Sequence, residues 1–263
     1  MKQIIYSLLA LIAFSACSSS TTTENESKDQ EEKKEDWIVL FDGTSTEGWR
    51  AYNGDALPPG WVIKDGELTY DTEMGLEQDY TGGKDIIYGA EEFENFELYL
   101  EWKLPKGGNS GIFYHIPEVK ESAGPSGLAP EYQLIDDENY ASIHDLTSYN
   151  KKMGETENLD QLQDWQKTAS DYAMYPADQS QVDLNPVGEW NSSKIVYTPE
   201  KVEYWLNGKV VVSFVPGSED WEKRKNSGKW SGAPDYAKAK KGYIGLQDHA
   251  SPIWFKNIKI KKL

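Results

Sequence analysis

Phe96-Glu97-Leu98-Tyr99-Leu100-Glu101-Trp102-Lys103-Leu104 alternates between two sets of side chains without a break. Successive residues of a strand point to opposite faces. Phe96, Leu98, Leu100, Trp102 and Leu104 therefore make one apolar face, and Glu97, Tyr99, Glu101 and Lys103 the other. Such a strand belongs to an antiparallel sheet with one face on a core. Downstream, two apolar runs at 202–206 and 210–214 flank Asn207-Gly208, the two-residue turn of a hairpin. Upstream, Trp61-Val62-Ile63 and Glu67-Leu68-Thr69-Tyr70 flank Asp65-Gly66 in the same way. Further strands are expected at 37–41, 111–116, 132–135, 194–198, 243–247 and 254–260. Only 158–168 carries a helical period longer than about two turns. Many short strands, tight turns and no βαβ alternation predict an all-β antiparallel sandwich or jelly roll. Residues 139–190 interrupt the strands with a long polar, aromatic-containing insertion. Connections of that length are functional lids or binding loops, with a merely decorating loop as the alternative.

The composition narrows the function. The chain has 263 residues with 44 Asp and Glu against 27 Lys and Arg, a net charge of −17. That balance repels phosphate backbones and anionic headgroups, so nucleic acid is not an expected partner, nor is a membrane docked by charge. A single cysteine excludes an intrachain disulfide framework and any cysteine-rich metal cluster. Ten Trp, 16 Tyr and 7 Phe suit β-structure and flat apolar ligand faces such as sugar rings.

The N-terminus reads as an address and a tether. Lys2 precedes an apolar run at 4–14, long enough for a signal-peptide core and too short to span a bilayer. Ser15-Ala16-Cys17 follows, which resembles a bacterial lipobox and makes Cys17 the expected lipidation site of a signal peptide at 1–17, with an ordinary secretory signal and a coincidental cysteine as the alternative. Residues 18–36 hold Ser/Thr runs and dense charge, a linker unable to bury enough surface to order itself. One domain is expected from 37 to 263. It would sit in a Gram-negative envelope, lipid-anchored, facing the periplasm or the cell surface, and meeting the membrane only through its anchor.

Strand parity selects candidate site residues. His115 shares a parity with Phe113, Glu131 shares one with Gln133, and Gln247 and His249 face away from Ile244 and Leu246. With Glu101, they gather on one sheet face if their strands are neighbours. A functional cleft and an ordinary wet face both fit that pattern. His144 lies in the insertion, with closure over a ligand and no role at all as the two alternatives. Familiar templates are absent: there is no Gly-x-Ser-x-Gly, Gly-x-Gly-x-x-Gly, P-loop or His-Glu-x-x-His. A divalent cation, if used, is expected on His115, Glu131 and His249 from separate strands. Glu131 and Asp136 point to opposite faces of a regular strand, so Glu101 with Glu131 makes the better carboxyl pair for a glycosidase.

Motifs in order along the chain resemble the 3-keto-disaccharide hydrolase domain family. They begin with Leu40-Phe41-Asp42-Gly43-Thr44 and Gly48-Trp49, and continue through Leu100-Glu101-Trp102-Lys103 and Asn109-Ser110-Gly111-Ile112-Phe113-Tyr114-His115. Pro130-Glu131-Tyr132-Gln133-Leu134-Ile135-Asp136, Gly188-Glu189-Trp190-Asn191 and Tyr204-Trp205-Leu206-Asn207-Gly208 follow. Gly245-Leu246-Gln247-Asp248-His249 and Phe255-Lys256-Asn257-Ile258 close the set. The resemblance implies a concanavalin A-like sandwich, a carbohydrate substrate and cleavage of 3-keto-glycosides. With a ketone at C3, the C2 proton is acidic, because its carbanion is an enolate. A base removes it, the C1 glycosidic oxygen leaves, and water adds back for net hydrolysis. Under that reading His249 or Glu131 is the base. His115, Gln133 or a bound cation holds the keto oxygen, and Glu101 or Asp136 assists the leaving group. Tyr114, Trp190 and Trp205 are sugar-stacking walls, and Asn109 and Gln247 bind substrate. A non-catalytic carbohydrate-binding module and an ordinary glycosidase are the rival functions.

Overall fold

The computed structural model describes residues 36–263. The expected signal peptide, the lipidation site Cys17 and the linker up to residue 35 lie outside the described residues. From there the strands are β1 (Ile38–Phe41), β2 (Trp49–Ala51), β3 (Trp61–Lys64), β4 (Glu67–Tyr70), β5 (Ile86–Phe93), β6 (Phe96–Lys103) and β7 (Asn109–Ile116). β8 (Glu131–Ile135), β9 (Asn191–Thr198), β10 (Lys201–Leu206), β11 (Lys209–Phe214), β12 (Gly242–Leu246) and β13 (Ile253–Lys262) complete them. The helices are short: α1 (Thr72–Leu76), α2 (Tyr140–Ile143), α3 (Thr147–Lys152) and α4 (Glu219–Ser227). Among the described residues no helix is long and apolar enough to cross a membrane.

Two antiparallel sheets pack face to face as a concanavalin-like sandwich. The larger runs β11-β10-β9-β6-β13-β4-β3, with β1 also paired to the long β13. The smaller runs β2-β5-β12-β7-β8. β6 shows why: its residues alternate strictly between buried and half-buried, as its sequence pattern dictates. Phe96, Leu98, Leu100 and Trp102 enter one core with Ile112, Tyr114, Tyr132, Leu134, Ile244 and Leu246 of the smaller sheet. Each such side chain removed from water contributes roughly 1.5–3 kcal/mol before entropy is counted. Both expected hairpins form. Asn207 and Gly208 have φ of 46° and 82°, and Asp65 and Gly66 have 53° and 78°, the left-handed pair that a tight hairpin turn needs.

Three local readings need correction. β2 and β5 were not anticipated; β5 carries a bulge between Tyr88 and Phe93 where it pairs with β12, so it has no clean period. The helix expected at 158–168 is absent, and only a 3-10 turn, Asp164–Gln166, forms there. The longest helix is instead α4, capped by Ser218 Oγ accepting from the Trp221 N–H at 3.3 Å. Trp221 is its one buried residue, which leaves no apolar stripe for a sequence pattern to show.

The insertion at 139–190 folds back along the free edge of β8. Ala169 N–H donates to Gln133 O at 2.8 Å, Ser170 O accepts from Gln133 N–H at 3.1 Å, and Tyr172 N–H donates to Glu131 O at 2.9 Å. The edge strand is thereby paired, and its outer face is roofed. Every residue of β7 and β8 is buried in consequence.

Candidate active site

Pairing of β7 with β8 sets Phe113 opposite Glu131, Gly111 opposite Gln133 and Asn109 opposite Ile135. Gln247 continues the neighbouring strand, its N–H donating to Gly111 O at 2.8 Å. Asn109, Glu131, Gln133 and Gln247 thus come to one face, turned away from the larger sheet. Gly111 sits between them for a steric reason. A Cβ there would lie 2.3 Å from Glu131 Oε1, so the carboxyl occupies the space a side chain would fill.

The insertion turns this face into a cavity of 670 Å³. Asn109, Glu131, Gln133 and Gln247 line its floor, Tyr140, Tyr149 and Tyr172 its walls, and His144 and His249 its exposed rim. Lys229, from a turn near the C-terminal end of α4, enters from one side with Nζ 4.3 Å from the Tyr172 ring centre. Tyr149 and Tyr172 share a hydrogen bond between their hydroxyls at 2.7 Å. The Asn109 amide donates to Tyr140 Oη at 3.3 Å. Two buried acceptors, Asn109 Oδ1 and Gln247 Oε1, have no partner within the protein. Leaving a buried acceptor unpaired costs about 1–3 kcal/mol.

The electrostatics push two titratable groups in opposite directions. Burial raises the Glu131 carboxyl to about 8, against the opposing pull of Lys229; Asp85 raises it further, and a hydrogen bond from the Gln247 amide lowers it. The His249 imidazole is lowered, first by the surrounding protein and then by the neighbouring His144 and Lys229. At neutral pH Glu131 therefore holds a proton and His249 has a free lone pair. That is an acid and a base on one cavity.

The segment carrying Gln247 and His249 is clasped by the loop before β5. Asp248 N–H donates to Asp85 Oδ1 at 2.9 Å, Tyr80 O–H donates to Asp248 Oδ2 at 2.6 Å, and Tyr80 Oη accepts from Lys84 N–H at 2.9 Å. Ser110 O–H anchors Gln247 O at 2.7 Å from the other side.

Six of the expected site residues lie elsewhere. His115 is the most instructive. A bulge in β7, where Phe113 and Ile116 span the register of Gly245 and Tyr243, resets the parity and puts His115 at φ 52°. Its ring turns to Phe96, Tyr114 and Tyr197, and Nε2 meets Glu94 O at 2.7 Å. Burial lowers its pKa to about 4. The expected cation set of His115, Glu131 and His249 therefore does not converge. Among the described residues no group of three or more His, Cys, Asp or Glu is arranged to hold a metal.

Glu101 belongs to β6 in the larger sheet, so it is no neighbour of Glu131. It accepts from Asn257 at 2.8 Å and pairs with Lys256 at 3.4 Å. Tyr114 is wholly inside the core, accepting from Tyr204 O–H at 3.0 Å. Trp190 and Trp205 flank the larger sheet under lysine ammonium groups, Lys256 at 4.0 Å and Lys194 at 3.9 Å from the ring centres. Asp136 caps turns, accepting from Gly107 N–H at 2.7 Å and Asn139 N–H at 3.1 Å. Sequence reasoning also missed residues that do line the cavity: Lys229, Tyr149 and Tyr172. Tyr149 and Tyr172 had only their membership of the long insertion as a signal and Lys229 had none, because the segments that bring them in have no period.

Residues 36–261 match the family described as the 3-keto-alpha-glucoside-1,2-lyase-like domain. A 3-keto-disaccharide hydrolase of Bacteroides thetaiotaomicron is 34% identical over 245 residues, covering 86% of this chain and 78% of its own. A crystal structure from Parabacteroides distasonis, provisionally described as a glycosyl hydrolase, superposes with a TM-score of 0.71 at 39% identity, over 86% of this chain and 94% of that one. A second from the same organism gives 0.59 at 27% identity, over 86% and 99%. With a match that runs from the first described strand into the last, the chain belongs to the 3-keto-alpha-glucoside-1,2-lyase-like domain family.

Proposed function

We propose that this protein is a carbohydrate hydrolase that cleaves the glycosidic bond of 3-keto-glycosides by elimination and rehydration. The observation that carries the reading is the pairing, on one sugar-sized cavity, of a buried carboxyl raised to about 8 with an imidazole held neutral. His249 takes the C2 proton, and the electron pair forms the enolate of the C3 ketone. As the enolate collapses, the C1–O bond breaks and the leaving oxygen takes the proton from Glu131. Water then adds across the C1=C2 bond: Glu131, now a carboxylate, removes a proton from it, and the imidazolium of His249, which trades its proton with solvent at the exposed rim, returns one to C2. Lys229 supplies positive charge toward the developing enolate, and Asn109 and Gln247 accept from sugar hydroxyls. The relatives' descriptions support the same substrate class.

An ordinary glycosidase needs two cooperating carboxyl groups. The cavity's other one, Asp145, stands at the exposed rim and accepts from Thr147 N–H at 2.9 Å. Incubation with an aryl glucoside and with its 3-keto derivative, with and without chelator, tests the proposal. Aglycone release from the 3-keto compound alone is expected. Release from the plain glucoside, or binding without turnover of either, contradicts it.

A further inference from the structure

A second basin, of 410 Å³, lies on the far side of Lys229, which lines both cavities. Its other lining includes Trp165, Glu155, Met174, Arg224 and Ser227. We propose that this basin is the subsite for the second sugar of a disaccharide, a reading that rests on the main cavity being where the glycosidic bond is cut.

Trp165 lines this basin and not the main cavity, and packs behind the latter's aromatic wall. Its ring centre is 5.5 Å from that of Tyr172, edge to face, and 6.4 Å from that of Tyr149. Its indole N–H donates to Glu155 Oε1 at 2.9 Å, which fixes the ring plane. A pyranose offers one apolar C–H face and a rim of hydroxyls. A fixed, half-buried indole with charged groups beside it matches both. Arg224 is likewise pre-oriented: Nε donates to Asp220 at 2.9 Å, Nη1 to Met174 O at 3.1 Å, and the guanidinium lies 4.4 Å over Tyr175. The basin's carboxylates are engaged already, Glu155 with Trp165 and Asp164 with Lys167 at 2.7 Å. It is equipped to hold a sugar and not to react with one. Lys229 marks the crossing point between the two units.

Calorimetry of disaccharide against methyl glycoside tests this. The probes are trehalose and methyl α-glucoside, each also as its 3-keto derivative, with wild type, Trp165→Ala and Ser227→Tyr. Ser227 is exposed at the end of α4, so tyrosine there fills the basin without removing a core contact. Both variants should bind the disaccharide about tenfold more weakly while methyl glycoside affinity is unchanged. Equal loss for both sugars in both variants, no loss in Ser227→Tyr, or no advantage of disaccharide over methyl glycoside in wild type overturns the subsite. Failure of the 3-keto reading shows differently: the oxidised and plain sugars would bind alike and neither would be turned over.

Discussion

At the scale of single residues, the contrast between Glu131 and His115 is the clearest result. Both were candidates by parity, and both are buried, yet only Glu131 reaches the cavity. In the proposed mechanism Glu131 must be protonated to act as the acid, and His249 deprotonated to act as the base. Activity should therefore rise with pH through the lowered pKa of His249 and fall again near pH 8. A pH profile of kcat/KM checks this. Glu131→Gln should lose about 10²–10⁴-fold in kcat while its melting temperature stays near wild type or rises, since an amide that cannot ionise then replaces the buried carboxyl. Gly111→Ala should cost about 10²-fold in kcat, because the new methyl occupies the carboxyl's place 2.3 Å away. His115→Ala should do the opposite. It removes a ring packed in the core edge, costing about 2–4 kcal/mol of stability by denaturant melt, with kcat close to wild type.

At the scale of elements, the site is a sheet face completed by loops. β7, β8 and β12 supply the floor; the clasp from the loop before β5 aims the Gln247–His249 segment. Tyr80→Phe removes the hydroxyl that joins Asp248 to Lys84 N–H. Hydrogen exchange at residues 247–250 should quicken and kcat should drop about tenfold, while protection within β6 and β13 stays as it was. Unchanged exchange at 247–250 would show that the clasp does not hold the segment. The same division explains what the sequence made legible. β6, the two hairpins and the shared face of Glu131 and Gln133 follow from a two-residue period and from turn chemistry, which are local. His115 was misplaced because a bulge shifts register by one residue, and one residue inverts a strand's faces. Glu101 was misplaced because parity says nothing about which strand lies beside which. Lys229, Tyr149 and Tyr172 were invisible because they arrive on segments with no period, and only that of Tyr172 is held by the edge of β8.

At the scale of the whole molecule, buried acids set the pH response. Asp85 is raised to about 7 and Glu131 to about 8, both mainly by burial. Each holds its proton more tightly folded than unfolded, so stability falls from about pH 4, where the unfolded carboxyls ionise, until pH has passed 7 for Asp85 and 8 for Glu131, and is level above. His115, lowered to about 4, acts the other way: it must take up a proton on unfolding below its ordinary pKa, so stability rises from pH 4 toward 6.5. The two carboxyls outweigh the one imidazole, so the melting temperature should fall from about pH 4.5 to pH 8 and level off above, and Glu131→Gln should lessen that decline. A monotonic rise to pH 9 would contradict the burial account. The sandwich itself serves mainly to hold one sheet face rigid beneath a roof of loops, and the claim that matters is what that face does to C2 of a keto-sugar. Cleavage of a 3-keto-glucoside in deuterium oxide, followed by proton NMR at early times, tests it most directly. The account predicts one deuterium at C2 of the released sugar from the first turnovers, well ahead of exchange in free 3-keto-glucose. Release of a sugar that keeps its C2 proton would contradict it.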